Sequence, residues 1–151
     1  MKKQILIIHG GTAYDTYEEY LENLKTKEIT IERIKAKDWK DVLGKTLGED
    51  YEVLTPQMPN KQNAKYPEWE IWFEKISQLL DEKVVLIGHS LGGVFLAKYL
   101  SENIFPRKIL ATLLIAAPYT TEFEHSLATF AVSGNLKQLS QQGGQIFLYH
   151  S

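Results

Sequence analysis

The chain has 151 residues, of which 44% are hydrophobic and 24% are charged, and its formal net charge is -2 at pH 7. This composition is typical of one globular domain and lacks the basic surplus that nucleic acid binding requires. Because no cysteine is present, disulfides and thiolate metal sites are excluded. We therefore expect a single domain over residues 1–151 with no nucleic acid partner.

The N-terminal apolar run predicts a strand rather than a signal peptide. This run, Ile5 to Ile8, is shorter than the roughly 7–15 residues of a signal sequence core. The longest other apolar stretch, Ile109 to Pro118, is far below the roughly 20 residues that a membrane helix needs. We therefore expect a cytoplasmic protein without a membrane partner.

Short apolar runs bounded by Gly, Pro and polar residues predict five strands. They are Gln4 to Ile8, Tyr51 to Pro56, Val84 to Gly88, Ile109 to Pro118 and Gln145 to Ser151. Helical segments are predicted between them by the spacing of apolar residues. The strands and helices alternate, which favours right-handed crossovers and a mostly parallel sheet. The predicted fold is α/β, a three-layer α/β/α sandwich with about five strands.

The first predicted helix carries one apolar stripe that should be buried, formed by Tyr17, Tyr20, Leu21 and Leu24. A second short helix presents Trp39, Val42, Leu43 and Leu47 on one face and ends at the C-cap Gly48. A third follows Pro67, and its predicted core stripe consists of Trp69, Trp72, Phe73, Ile76, Leu79 and Leu80. Leu91 to Ser101 is the next helix. A weaker pattern predicts a helix around Phe123 to Phe130, inside a segment, 119–144, that occupies the position of a lid.

The segment Gly88-His89-Ser90-Leu91-Gly92 has the pattern Gly-x-Ser-x-Gly. The pattern alone is weak, since it arises by chance in roughly 5% of chains of this length. Its position is more informative, because it follows a predicted strand and opens a predicted helix, as in a nucleophile elbow. Glycine at positions 88 and 92 avoids collisions with the neighbouring strand and helix, and Gly93 permits close packing. We predict that Ser90 is a nucleophile.

A second glycine-rich turn, His9-Gly10-Gly11, follows the first predicted strand. Ligands of parallel sheets bind at the carboxyl ends of the strands, so both turns should lie at the same edge. The amide of Leu91, at the positive end of its helix, and the amide of Gly11 are candidates for an oxyanion hole. The histidines in the two turns, His9 and His89, are predicted to position the site rather than to act as the base.

Phosphate-binding motifs do not fit the glycine-rich turn. The dinucleotide pattern requires glycine at position 90, and the P-loop pattern requires lysine at position 94, where valine stands. No cluster of carboxylates and histidines has the spacing of metal ligands. We therefore predict neither a cofactor nor a metal.

The remaining groups of a catalytic triad are harder to place. In hydrolases with this elbow the chain order is serine, acid, histidine. No aspartate follows Ser90; the later acids are Glu102, Glu122 and Glu124, and the later histidines are His125 and His150. The pair Glu124 and His125 fits either an acid-base pair or a solvated helix face. His150 ends the last strand at the same edge of the sheet as Ser90 and is a further candidate for the base. In the usual layout of these hydrolases, the acid and the histidine would follow Ser151. The last strand would then be an exposed edge of the sheet, which favours self-association.

Three segments, ILIIHGG, VVLIGHSLGG and IFLYHS, together resemble a small α/β hydrolase. Two further segments, MPN and YPEWEIWFEKI, lie between the second predicted strand and the elbow. With these segments the chain is similar to the compact YdeN-like, retinoblastoma-binding-protein-nine-like serine hydrolases. The connection Thr26 to Gly48 is longer than the family implies. The resemblance implies that Ser90 is the nucleophile, that Leu91 and Gly11 form the oxyanion hole, and that the substrate is a small ester or related acyl compound. It also implies a C-terminally truncated chain that is nearly inactive, and it allows a protein partner.

Two other functions remain open from the sequence. A non-catalytic binding module on the same fold would explain the unplaced acid and base. An acyltransferase is the other alternative, because Gly-His-Ser-Leu-Gly also occurs in acyl-carrier-protein transferases, although those enzymes carry an inserted subdomain for which this chain has no room.

Overall fold

The structure of the protein is a computed structural model that describes residues 2–118, 127–132 and 134–150. The strands in these residues are β1 (Lys3–Ile8), β2 (Tyr51–Leu54), β3 (Lys83–His89), β4 (Lys108–Ile115) and β5 (Gln145–Tyr149). The α-helices are α1 (Tyr17–Thr26), α2 (Ile31–Lys35), α3 (Trp39–Leu47), α4 (Tyr66–Ser77), α5 (Leu91–Glu102) and α6 (Lys137–Gln142). A 3-10 turn occupies Ala128–Phe130.

The five strands form one sheet in the order β2-β1-β3-β4-β5, and every neighbouring pair is parallel. This confirms the predicted α/β fold with a parallel sheet of five strands. Ile8 of β1 lies opposite Gly88 of β3, and His89 lies opposite Ile115 of β4. The carboxyl ends of the three central strands therefore meet at one edge, and the turns that follow β1 and β3 lie side by side there.

One face of the sheet carries the main core, under α4, α5 and α6. Trp69, Phe73 and Phe95 are fully buried there. Their rings meet edge to face, with centroids 5.7 Å apart for Trp69 and Phe95 and 5.2 Å apart for Phe73 and Phe95. Burying each such side chain stabilises the fold by roughly 1.5–3 kcal/mol, so this aromatic cluster anchors the helix that follows β3.

The other face of the sheet has a smaller core. Ile5, Ile7 and Ile87 are buried there, and Leu43 of α3 packs against them. The helix α3 begins with a capping box at Asp38 and ends at Gly48, whose φ of 85° lies in the left-handed region that a C-cap glycine adopts. Together with α1 and α2, this helix lies in the long connection between β1 and β2.

The predicted burial of the N-terminal helix is wrong. Helix α1 forms where expected, with a capping box at Thr16, but none of its residues is buried. Tyr17, for example, is 61% exposed.

The predicted core stripe after Pro67 is also partly wrong. Two of its members, Trp72 and Leu79, are 44% and 83% exposed. The reason is geometric: α4 turns Trp69 and Phe73 towards α5, which leaves Trp72 on the outside, and Leu79 lies beyond the end of α4.

Two further differences concern short or peripheral elements. The helices α2 and α6, of five and six residues, were not predicted, because segments this short show no clear apolar period. The first half of the helix predicted over Phe123 to Phe130 lies outside the described residues, and its last three residues form the 3-10 turn. The expected edge position of the last strand is confirmed, because β5 lies at the edge of the sheet and all its residues are exposed.

Candidate active site

Ser90 occupies a strained turn directly between β3 and α5. Its φ is 53° and its ψ is -124°, a conformation that costs a non-glycine residue about 1–3 kcal/mol. Two hydrogen bonds hold the turn: the Ser90 N–H donates to the Ile115 carbonyl at 2.8 Å, and the Gly93 N–H donates to the Ser90 carbonyl at 2.9 Å. The turn thus lifts Ser90 above the sheet edge, in the geometry of a nucleophile elbow.

The glycines around Ser90 lie where no side chain fits. A Cβ on Gly88 would be 2.6 Å from the Gly92 carbonyl oxygen, and one on Gly92 would be 2.2 Å from the Ile8 carbonyl oxygen. A Cβ on Gly93 would be 2.6 Å from Cβ of Ala117. The helix α5 can therefore approach the ends of β1 and β4 only with glycine at these positions.

The loop His9-Gly10-Gly11 lies against the serine turn. A Cβ on Gly10 would be 3.2 Å from Cβ of Ser90, and one on Gly11 would be 3.4 Å from Cδ2 of Leu91. Within the described residues, the amide N–H groups of Gly11 and Leu91 donate to no backbone carbonyl. Two amide donors without a backbone acceptor therefore flank Ser90, one on each of two adjoining segments.

The imidazole of His9 is bonded to backbone on both sides. Its Nε2 accepts the Met58 N–H at 2.8 Å, so its Nδ1 carries the proton and donates to the Gly10 carbonyl at 2.6 Å. Burial lowers the pKa of His9, and the positive charges of Lys61 and Lys40 lower it further. A neutral His9 therefore ties the Gly10 loop to the segment after β2, and neither of its nitrogens is left to take a proton from Ser90.

The imidazole of His89 faces the start of α3. Its ring meets the Trp39 ring edge to face with centroids 6.0 Å apart, and its Nδ1 is buried without a hydrogen-bond partner among the described residues. Burial lowers the pKa of His89; Lys40 acts in the same direction and Asp38 opposes it. Lys40 is only 8% exposed and pairs with Asp38. Sequence reasoning missed this neighbourhood, because the apolar face of α3 indicated only contact with the sheet.

The other candidate residues are more distant or lie outside the description. His150 follows β5 at the same edge of the sheet as Ser90. His125 and Glu124 lie outside the described residues. Over the described ranges, no three His, Asp or Glu side chains come together in a way that could hold a metal ion. No helix in those ranges is long and apolar enough to cross a membrane.

A parallel sheet with a strained serine between its central strand and the following helix defines the α/β-hydrolase class of fold. The family model described as serine hydrolase matches residues 6–144, so the chain belongs to the serine hydrolase family, and the resemblance to a compact serine hydrolase is confirmed. Among curated proteins, no sequence matches the chain.

Solved structures similar to this one include two bacterial proteins. The product of ydeN from B. subtilis has 16% sequence identity and a TM-score of 0.51, over 99% of this chain and 86% of that chain. A candidate cell surface hydrolase from Lactobacillus plantarum WCFS1 has 15% identity and a TM-score of 0.52, over 99% of this chain and 67% of that chain. At these identities the likeness shows the fold alone.

Proposed function

We propose that the protein hydrolyses small carboxylic esters or related acyl compounds through an acyl-enzyme on Ser90. The observation that carries this proposal is the strained conformation of Ser90, with φ of 53°, opposite the Gly10 loop. Backbone strain of this kind persists only where surrounding structure enforces it, and it clusters at functional sites. Membership of the serine hydrolase family supports a hydrolase that acts on a small molecule.

The reaction uses the two amide donors beside Ser90. The Ser90 oxygen bonds to the ester carbonyl carbon, and the carbonyl oxygen becomes negative between the N–H groups of Leu91 and Gly11. The bond to the alcohol oxygen then breaks, and the alcohol leaves with the proton that Ser90 gave up. Water next attacks the acyl carbon, which releases the acid and restores the Ser90 hydroxyl. Loss of one such amide donor typically slows the reaction roughly 10²- to 10³-fold.

Labelling with a fluorophosphonate probe tests this function. Mass spectrometry of the labelled protein should place the phosphonate on Ser90, and Ser90→Ala should abolish the label. Ser101→Ala is the matched control, because Ser101 lies at the far end of the same helix and its hydroxyl donates to the Ala97 carbonyl at 2.6 Å. Absence of label on Ser90, or equal labelling of the Ser90→Ala variant, would overturn the proposal.

A specific observation favours a second candidate, a binding module of the same fold with little turnover. Both ring nitrogens of His9 form hydrogen bonds with backbone groups. Among the described residues, His89 forms no hydrogen bond with Ser90. Without an activating base, a serine site retains only about 10³- to 10⁴-fold acceleration over water.

Added imidazole separates the two candidates, since it supplies a base from solution. If Ser90 lacks a base, imidazole will accelerate ester hydrolysis by the wild-type protein beyond its effect with Ser90→Ala. Rapid turnover that is insensitive to imidazole would rule out the binding module.

A further inference from the structure

An open groove of about 480 Å³ lies between α1 and residues 60–68. Tyr17 and Tyr20 line it on the helix side. On the other side it is lined by side chains that carry amides or a positive charge, among them Asn60, Lys61, Gln62 and Asn63. The ester chemistry proposed for Ser90 uses none of these residues.

The groove adjoins the loop that faces Ser90. The Thr12 N–H donates to the Lys61 carbonyl at 2.8 Å, and the Ala64 N–H donates to the Thr12 carbonyl at 2.8 Å. A Cβ on Gly11 would be only 2.6 Å from that Lys61 carbonyl oxygen. The wall of the groove therefore packs directly against the loop that carries the Gly11 amide.

The wall formed by residues 60–68 is fixed by its own hydrogen bonds. Asn60 has a φ of 48°, its carbonyl accepts the Asn63 N–H at 2.8 Å, and its side chain donates to Glu68 at 3.0 Å. The Lys65 ammonium donates to the Tyr14 carbonyl at 2.6 Å. A wall that is ordered before a ligand arrives loses little entropy on binding, which is the property of a binding site.

The lining selects a ligand with both apolar faces and many hydroxyls. Tyr17 is 61% exposed although its ring lies 5.9 Å from the ring of Tyr20, so an aromatic face is open to the groove's ligand. The amide side chains of the opposite wall can both donate hydrogen bonds to hydroxyl groups and accept hydrogen bonds from them. A hydrocarbon chain would remove water from these amides without forming hydrogen bonds with them. A peptide is disfavoured because none of the described strands lines the groove.

We propose that this groove binds the sugar ring of an O-acylated sugar, whose ester then lies at Ser90. The proposal rests on the function proposed above and names its substrate class. In the reaction the bond between the acyl carbon and the sugar oxygen breaks, the sugar leaves with its hydroxyl restored, and water completes the hydrolysis of the acyl-enzyme.

Kinetics on two acetate esters test the groove. For Tyr17→Ala, we expect kcat/KM for glucose pentaacetate to fall about tenfold and kcat/KM for 4-nitrophenyl acetate to be unchanged, because only the sugar ester reaches Tyr17. Tyr149→Ala is the matched control, since Tyr149 is also exposed, at 53%, but lies on β5. Equal losses on both esters, or no loss on the sugar ester, would overturn the proposal. The proposal would also be overturned if Tyr17→Ala lowered kcat/KM only for an amino acid ester.

A binding experiment keeps the groove separate from the chemistry of Ser90. The Ser90→Ala variant should still bind cellobiose, observed by saturation-transfer NMR, and adding Tyr17→Ala should abolish the signal. If neither ester is hydrolysed but cellobiose binds in this way, the proposed hydrolase function fails and the groove stands. If cellobiose does not bind, the groove proposal fails.

Discussion

Adding one methyl group at Gly92 tests whether the close packing of α5 on the end of β1 determines the geometry of the site. A Cβ at this position would lie 2.2 Å from the Ile8 carbonyl oxygen and 2.5 Å from the His9 carbonyl oxygen. Ordinary contact begins at 3.4 Å, so α5 and the end of β1 would have to separate by about 1 Å. Because both facing atoms are backbone, no change of side-chain rotamer can relieve the overlap.

The expected effect of Gly92→Ala combines two opposing contributions. Overpacking of this kind typically destabilises by 1–3 kcal/mol or somewhat more, whereas alanine is about 1 kcal/mol better than glycine within a helix. Because the overlap is with backbone, we expect a net loss of about 2 kcal/mol, which lowers the Tm of a domain of this size by about 4–8 °C. The displaced His9 carbonyl also moves Gly10 away from Ser90, so labelling of Ser90 should slow about 10²-fold.

Gly44→Ala is the matched control, because Gly44 is also inside a helix. Its added Cβ would be 3.5 Å from Cβ of Val53, which is ordinary contact, so helix propensity should dominate and raise the Tm slightly. Thermal unfolding followed by circular dichroism measures both variants. If both shift the Tm in the same direction, or if Gly92→Ala labels at the wild-type rate, the close packing of α5 on β1 does not control the site.

Two other predictions follow from His9 and from β5. Because burial lowers the pKa of His9 from 6.5, the unfolded chain binds its proton more readily, so stability is greatest above pH 6.5 and falls as the pH decreases below it. His9→Gln should reduce this acid dependence in urea unfolding at pH 5 and pH 7.5; an unchanged dependence would contradict the assignment. Exposed edge strands invite pairing, so the protein should self-associate with concentration in sedimentation experiments. Leu148→Lys on β5 should weaken this association, whereas Leu79→Lys, at a position 83% exposed but outside the sheet, should not. A wild-type monomer at high concentration would contradict this prediction.

The strands could be predicted because their signals are local. Apolar runs ending at glycine or proline identify β1 to β4 within a few residues of their observed ends. Burial of helices is a tertiary property, and here the sequence misled: α1 has a regular apolar period yet buries nothing. Its period describes one face of a helix but carries no information about what covers that face.

The order of the strands in the sheet explains part of the arrangement of groups in the site. The turns after β1 and β3 had to adjoin once those strands were parallel neighbours, which is why Gly10 and Ser90 are in contact. The partner of His9 could not be foreseen in the same way, since the Met58 amide lies 49 residues along the chain in an irregular segment. The same holds for Trp39, which reaches His89 only because α3 starts above the sheet edge.

The hydrogen bond from Ser90 to Ile115 has a consequence for the order of assembly. During synthesis Ser90 emerges from the ribosome well before residue 115, and until β4 docks on β3 its N–H has no carbonyl to hold it in the left-handed region. A nascent chain that stops short of β4 therefore lacks one of the two hydrogen bonds that hold the strained turn. The strained turn is therefore fully held only when the pairing of β3 with β4 is complete, after β1 to β3 have left the ribosome.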